Sequence, residues 1–382
     1  MTQEIHDLVP ASDLVALGEP THREPAFGVV RNHLFARLVE RGFRSIALET
    51  DRVAALAVQA YVTHGAGSLD AAMTTGFTHG FGELAANRRL VTWIHHHNAS
   101  RPAEDHVHFY GFDVPTEMMS YPSPRTCLEY VRDYLGARVE LTGLLGDDDR
   151  WGRTEAVLDP RASIGATADA HALHSIADDL LTSLHARAPE LVATTSLTRW
   201  RAAKVHATAA LDLLRMHRQA AKPADPSLRL EGLSAVRDAI MARHLVDIRT
   251  LEARRGPTLV FAHNRHLQRH PSTWTTEDAA MRWSGAGAIV TTVWDGGYTF
   301  VPGSLGSSSE VGLVEPAPHT FEGRLRSATT PWSLTKPTNL DGADVRTDTT
   351  PDYFPLDQQT VDAADALLHI SDGAAAVAEV GA

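Results

Sequence analysis

The chain has 382 residues, of which 43% are hydrophobic and 21% charged, and its formal net charge is -12 at pH 7. This composition is typical of a globular protein with a large core, and the acidic balance argues against a nucleic-acid partner, which would need a basic surface. The single cysteine, Cys127, excludes an internal disulfide and any metal site built from several thiolates.

The sequence has no feature of a membrane protein. The N-terminus lacks a basic segment followed by an apolar one, and no later stretch approaches the length needed to cross a bilayer. We therefore expect a cytoplasmic protein with no membrane partner.

Two short apolar runs near the N-terminus are each followed by an acid. Residues 14–17 lead to Glu19 and His22, and residues 45–48 lead to Glu49. Runs of this length, rich in apolar residues, predict buried strands of a parallel sheet.

The segment between these runs predicts a helix. Pro25 suits a first helical turn, apolar residues then recur at helical spacing, and Gly42 ends the pattern. A strand, helix, strand crossover makes the two strands parallel, so their carboxyl ends lie on the same side of the sheet. Glu19, His22 and Glu49 should therefore meet at the edge where open parallel sheets bind ligands.

Further elements extend this α/β pattern. We expect helices near residues 53–62 and 84–94, core strands at 106–113, 257–262 and 288–293, and a last short helix after residue 360 followed by an apolar run at 366–370. The glycine- and serine-rich stretch 303–307 is interpreted as a flexible loop, a candidate lid over the site.

Residues 124–255 differ in composition, with helical periodicity almost throughout and a break at 222–226. We expect a mostly parallel sheet flanked by helices, with this large helical insertion forming one wall of the active-site cleft. In domain terms, residues 1–382 form one unit with an α/β core of 1–123 and 256–382 and an insertion of 124–255.

Polar side chains follow four of the predicted strands. These side chains are, strand by strand, Glu19 with His22, Glu49, Asp113, and His263 with His266. A polar residue at a single strand end is commonly a cap or a solvated edge, and we interpret Asp113 as structural. Carboxylates and histidines gathered in one crevice, however, can hold one another in chosen protonation states and transfer protons near neutral pH.

These motifs resemble those of the erythromycin esterase family. That family has a strand ending in Gly-Glu-x-x-His, an arginine in the following helix, a strand ending in Ala-Leu-Glu, and a later His-Asn-x-His. The matching residues are Gly18 to His22, Arg31, Ala47 to Glu49, and His263 to His266, with weaker echoes at 93–98, 111–113 and 237–242. Arg23 stands where the family commonly has glycine, and a cation there would narrow the pocket or bind an acidic substrate.

The resemblance implies a hydrolase that opens a small-molecule ester or lactone without a serine nucleophile, a required metal or a cofactor. It implies that His22 is the general base and that Glu19 and Glu49 orient and support the histidines. Arg31 would bind a carboxylate or the developing oxyanion. His263 and His266 would stabilise the oxyanion or protonate the leaving alkoxide.

Other interpretations remain open at this point. The same acid-base groups could catalyse an elimination, cyclisation or rearrangement in natural-product biosynthesis. The 21 histidines also allow a non-catalytic protein that binds a metal or haem. Glu19 and Glu49 could also be strand-end acids paired with helix arginines such as Arg31 or Arg52, an account that is compatible with a catalytic role.

Overall fold

The computed structural model describes residues 12–117, 119–275, 280–327 and 329–380 of the chain. Residues 1–11, on which the expectation about the N-terminus depends, lie outside these ranges. Of the described helices, none combines the length and the apolar character needed to span a membrane.

The strands, in chain order, are β1 Leu14–Glu19, β2 Ser45–Asp51, β3 His108–Asp113, β4 Thr258–His263, β5 Ser272–Thr275, β6 Ala280–Trp283, β7 Tyr298–Val301, β8 Gly303–Ser307, β9 Trp332–Thr335 and β10 Leu367–Asp372. The helices are α1 Pro25–Glu40, α2 Ala55–His64, α3 Leu69–Thr75, α4 Ala85–Ala99, α5 Arg125–Leu135, α6 Thr142–Leu145, α7 Thr154–Leu158, α8 Ala168–Ala186, α9 Ala188–Thr194, α10 Leu197–Ala220, α11 Pro226–Glu252, α12 Asn264–Leu267, α13 Ala286–Val293, α14 Phe321–Leu325, α15 Gln358–Ala363 and α16 Gly373–Val380.

The central sheet has five parallel strands in the order β3-β2-β4-β1-β7. Alternate residues of each strand point to opposite faces, so Val15 and Leu17 pack on the side of α1, α2 and α4, while Leu14 and Ala16 pack on the side of α11 and α13. Both faces are therefore buried, as expected for a parallel sheet. The predicted α/β class is confirmed.

The first crossover follows the sequence closely. Helix α1 begins at Pro25, and the Glu24 carboxylate accepts a hydrogen bond from the Ala26 N–H at 2.9 Å, which caps the helix. Because the crossover joins parallel strands, β1 and β2 end on the same side of the sheet, with β4 between them.

The predicted strand at 288–293 is wrong, because residues 286–293 form helix α13. A short apolar run rich in β-branched residues does not distinguish a strand from a buried helix by periodicity alone. Here the hydroxyls of Thr291 and Thr292 donate hydrogen bonds to carbonyls four residues earlier, and the fifth strand of the sheet is β7.

The interpretation of residues 303–307 as a flexible loop is also wrong. They form the buried strand β8, which pairs with β10 in a second, three-stranded sheet. A Cβ at Gly303 would lie 2.5 Å from the Gly18 carbonyl oxygen, and one at Gly306 would lie 2.4 Å from that of Ser371. The glycines thus permit close backbone packing, a role that composition does not distinguish from loop flexibility.

Helices α5 to α11 occupy the region predicted as helical, and α5, α8 and α10 share a hydrophobic cluster of their own. Helix α11 also packs against the sheet, through Met241, Leu245 and Ile248. We therefore propose that this region is an insertion within one domain. Cys127 is buried in it, and burial raises the pKa of its thiol to about 12.

Candidate active site

Strand pairing brings the predicted site residues to one edge. Glu19 and His263 are the last residues of β1 and β4 and are partners in the register of the two strands. On the other side of β4, Leu48 of β2 pairs with Phe261, which places Glu49 beside the same end. The carboxyl ends of these three strands therefore form the floor of the site.

His22 lies in the turn after β1 and contacts both acids. Its Nδ1 lies 2.7 Å from Glu19 Oε1, and its Nε2 lies 3.7 Å from Glu49 Oε1, beyond hydrogen-bond range. Although burial disfavours the charged ring, the carboxylates of Glu49 and Glu19 raise the pKa of His22 above its ordinary value. The side chain is still 35% exposed, so it is accessible to a ligand.

Glu49 is the centre of the hydrogen-bond network. Its Oε1 lies 3.3 Å from His266 Nε2 and accepts from Arg237 at 3.3 Å, and its Oε2 accepts from the His263 backbone N–H at 2.8 Å. Although burial opposes ionisation, the charges of His266, His22 and Arg237 hold the pKa of Glu49 well below its usual range. Glu49 is therefore a buried anion at neutral pH.

His266 is held between two carboxylates. Its Nδ1 lies 2.8 Å from Asp238 Oδ1, and its Nε2 faces Glu49. Asp238 also accepts from the Trp283 indole N–H at 2.7 Å and the Ala286 N–H at 2.8 Å. Although burial disfavours the imidazolium, Asp238 and Glu49 raise the pKa of His266 to about 10, so the ring is a cation at neutral pH.

His263 has the opposite electrostatic character. Its Nδ1 accepts from the Arg265 backbone N–H at 3.2 Å, so the proton lies on Nε2, which donates to the Pro20 carbonyl at 3.2 Å. Burial, together with the charge of His22, holds the pKa of His263 well below its usual range. This ring is neutral, and both of its nitrogens are hydrogen-bonded to the backbone.

Arg31 projects from α1 beside the same floor. It is 2% exposed, and its Nη2 donates to the side-chain oxygens of Asn87 at 2.9 Å and Asn32 at 2.8 Å. Its Cζ lies 4.8 Å from the centroid of the Phe261 ring. Burial lowers its pKa to about 10, although the negative charge of Glu19 acts to raise it. Arg31 therefore remains a buried cation near the base of the site, with amides as its hydrogen-bond acceptors.

The arginines that we considered as partners for the two acids have other partners. Arg52 pairs with Asp247, and Arg31 makes no ion pair with a described carboxylate within 4 Å. The arginine that pairs with Glu49 is Arg237 on α11. Glu49 is thus an acid of the site network rather than a strand-end acid neutralised by Arg31 or Arg52.

Sequence reasoning missed two residues of this network, Arg237 and Asp238, which appeared there only as a weak family echo. Arg237 donates from Nε to Asp113 at 2.9 Å, and the neighbouring Asp238 holds His266. Asp113 is fully buried and pairs with Arg237, and we propose that its role is structural. An acid and an arginine within a long helix carry no local signal that they point into a site.

Two cavities open on either side of His22. The larger, of about 460 Å³, lies over α1 and the start of α4 and has apolar walls that include Leu48, Phe261 and Val377. The smaller, of about 310 Å³, lies between α11, the β5–β6 hairpin and residues 351–354. His22, Arg23 and Glu49 line both cavities, and the helical insertion contributes to the smaller one through α11.

Comparison with known proteins identifies the family. The family model described as Erythromycin esterase matches residues 38–370, most of the chain. The chain belongs to the erythromycin esterase family. The matched range includes Glu49, His263 and His266, whereas Glu19, His22 and Arg31 precede it. A search of curated proteins finds no match.

Solved structures share the fold of this erythromycin esterase family member. A Bacillus cereus protein superposes with a TM-score of 0.70 at 18% identity, covering 96% of this chain and 90% of the other. A histidine-to-asparagine mutant of the erythromycin esterase EreC, in its open conformation, superposes with a TM-score of 0.66 at 20% identity. The match covers 96% of this chain and 92% of the other. A succinoglycan biosynthesis protein superposes with a TM-score of 0.66 at 17% identity, covering 96% of this chain and 90% of the other.

Family membership supports a hydrolase of the esterase type acting on a small molecule, with macrolide esters as the general substrate class. The positions of the potential ligand side chains also bear on the alternative of a metal-binding protein. Across residues 12–117, 119–275, 280–327 and 329–380, no group of three or more histidine, cysteine, aspartate or glutamate side chains has positions that could hold a metal ion.

Proposed function

We propose that this protein hydrolyses a carboxylic ester or macrolactone with a water molecule activated by His22. The observation that carries the proposal is the environment of this ring. Its Nδ1 is hydrogen-bonded to Glu19, while its exposed edge faces both cavities beside the Glu49 anion. A carboxylate that orients one nitrogen of a histidine leaves the other free to accept a proton from water.

In this mechanism His22 Nε2 takes a proton as the water oxygen attacks the acyl carbon. The resulting imidazolium is stabilised by Glu19 and Glu49, and it returns the proton to the alkoxide when the ester C–O bond breaks. His22 suits the second step better than the two other histidines. The Nε2–H of His263 donates to Pro20, and both nitrogens of His266 face carboxylates.

Positive charge near the scissile bond would come from two buried cations. Arg31 lines the larger cavity and the His266 imidazolium lines the smaller one. Fixed cations in a site of low polarity stabilise an oxyanion without reorganisation at the moment of reaction. We propose that His263 and His266 orient Glu49, and that Arg31 binds the oxyanion or a substrate carboxylate.

A serine nucleophile is not part of this proposal. The sequence contains no Gly-x-Ser-x-Gly segment, and in the described ranges no serine hydroxyl is hydrogen-bonded to a histidine that lines either cavity. Ser304 does lie 2.8 Å from His369 Nδ1, but both residues are fully buried, away from both cavities.

The reaction class can be tested by product mass. The protein should be incubated with a panel of macrolactones and small esters in oxygen-18-labelled water. We expect a macrolactone to give one ring-opened product heavier by one labelled water, and a small ester to give an acid and an alcohol whose summed mass exceeds the ester by one labelled water. In both cases the label should lie in the new carboxylate, because the attacking oxygen comes from solvent. Products that contain no added labelled water, such as an isomer of the substrate or fragments whose summed mass equals it, would instead indicate a rearrangement or elimination by the same acid-base groups, and would contradict hydrolysis.

Glu19→Gln is expected to move the acid limb of the kcat/KM profile to lower pH. Only neutral His22 can accept a proton, so the rate rises with pH through the His22 pKa, which the Glu19 carboxylate raises. Removing that charge lowers the pKa and extends activity toward acid. A pH–rate series on both proteins measures the shift.

The matched control is Glu83→Gln, which removes the same charge from an exposed residue at the larger cavity. It should leave the limb in place because no contact joins Glu83 to the His22 ring. Equal profiles for Glu19→Gln and wild type would rule out Glu19 as the partner that sets the His22 pKa.

A further inference from the structure

The smaller cavity has a cationic and aromatic lining. Trp274, Trp283 and Phe354 contribute aromatic surface, and Arg265 of α12 also lines the cavity. The cavity reaches His22 and Glu49, so a group bound there would be part of a molecule whose ester lies at the proposed base. Its volume of about 310 Å³ is at the lower end of the range for ligand sites.

Most cations of this cavity are neutralised by carboxylates. Arg23 pairs with Asp352 at 2.7 Å, Arg237 pairs with Asp113 and Glu49, and His266 pairs with Asp238 and Glu49. These ion pairs hold the walls of the cavity together. They also use the positive charge that could otherwise attract an anion.

Arg265 is different. Among the described residues, no acceptor forms a hydrogen bond or ion pair with its guanidinium, although the backbone of Arg265 has partners. The charge of Asp357 acts on it from beyond ion-pair range, and the Asp357 side chain accepts from the Thr360 N–H to cap α15. Burial lowers the pKa of Arg265 to about 10, so the side chain is still a cation at neutral pH.

The guanidinium is nevertheless held in position. Its Cζ lies 3.5 Å from the centroid of the Phe354 ring, so the plane packs on an aromatic face. Phe354 in turn donates its N–H to the Pro20 carbonyl at 3.1 Å and lies edge-on to His263. Stacking uses the face of a guanidinium and leaves its N–H groups at the edge, where they can donate two parallel hydrogen bonds to a carboxylate.

We propose that Arg265 binds a carboxylate of the substrate in the smaller cavity, so that the preferred substrates are esters or lactones that also carry a free carboxylate. This inference rests on the proposed hydrolysis for the identity of the ligand as a substrate. The anion site itself depends only on Arg265, Phe354 and the cavity. Binding and turnover can therefore be tested separately.

The binding test measures the affinity of the protein for 3-phenylpropionate and for the neutral 3-phenylpropanamide. Calorimetry and the fluorescence of the nearby tryptophans report the binding. We expect wild type to bind the carboxylate in preference to the amide. Arg265→Gln should weaken carboxylate binding by about 10-fold or more, since a hydrogen bond to a charged group contributes about 1.5–3 kcal/mol. Arg265→Lys, which keeps the charge but loses the planar fork, should give an intermediate value.

The control is Arg254→Gln, at an exposed arginine that lines neither cavity. It should bind the carboxylate as wild type does, and thermal unfolding of each variant should show a folded protein. No saturable binding of the carboxylate to wild type, or equal binding by wild type and Arg265→Gln, would overturn the anion site.

The turnover test compares 4-nitrophenyl hydrogen glutarate with its methyl diester, 4-nitrophenyl methyl glutarate. Arg265→Gln should reduce the ratio of kcat/KM for the acid over the methyl ester by about 10-fold. Hydrolysis of both esters with an unchanged ratio would overturn the inference and leave the proposed function intact. Binding of 3-phenylpropionate that depends on Arg265, without hydrolysis of any panel ester, would overturn the proposed function and leave the anion site intact.

Discussion

His22→Gln is expected to lower kcat by about 10²–10⁴-fold, the usual contribution of a positioned general base. Glutamine has a similar reach and can still donate to Glu19, but it cannot accept a proton from water near neutral pH. The loss should appear in kcat more than in KM, because the ring transfers protons during the reaction rather than binding the substrate in its ground state. Steady-state kinetics on an ester identified by the mass-spectrometric panel measures both constants.

The fold should survive this change. His22 is 35% exposed and its side-chain hydrogen bond is to Glu19, so circular dichroism and thermal unfolding should resemble those of wild type. His171→Gln, on the exposed surface of α8, is the matched control and should keep full activity. Turnover within threefold of wild type in a folded His22→Gln variant would refute the role of this ring as the base.

Glu49→Ala is expected to reduce the free energy of unfolding by about 3–5 kcal/mol, the range for removing one partner of a buried ion pair. The change leaves the His266 imidazolium and Arg237 without their shared acceptor and leaves the His263 N–H unpaired. It also removes the anion beside His22, so turnover should fall as well. Urea unfolding at pH 7 measures the stability, with Glu155→Ala, at an exposed position of α7, as the control.

The effect should depend on pH in a defined direction. Because the pKa of Glu49 is depressed in the folded protein, its contribution is fully present above the unfolded carboxyl pKa of about 4.3 and is lost as the pH falls toward the folded value. The stability difference between wild type and Glu49→Ala should therefore narrow in acid. A constant difference from pH 7 to pH 3 would show that Glu49 acts through packing instead of charge.

The α/β framework was predictable because its signals are local. Apolar runs of strand length, a proline at a first helical turn and a glycine after a helix each depend on a few neighbouring residues. Their predicted order correctly indicated that Glu19, His22, Glu49, His263 and His266 meet at one edge. The strand predicted at 288–293 failed because its apolar residues also fit a buried helix, and only the packing of α13 beside α11 decides between the two.

The charge states of the site were beyond the reach of the sequence. Nothing in the His-Asn-x-His motif indicates that His263 is neutral while His266 is a cation, because that difference comes from Pro20, Asp238 and Glu49. These contacts join parts of the chain up to 243 residues apart. The same is true of Arg265, which acquires its stacking partner and its open edge only when residues 351–354 fold across the cavity.

The residues along the chain thus specified which side chains reach one end of the sheet, since strand direction and crossover handedness follow from local pattern. Tertiary packing specified what those side chains can do. A proton's location and a cation's freedom to bind a ligand depend on burial and on neighbours brought from distant segments, and electrostatic interactions become strong only where folding has excluded water.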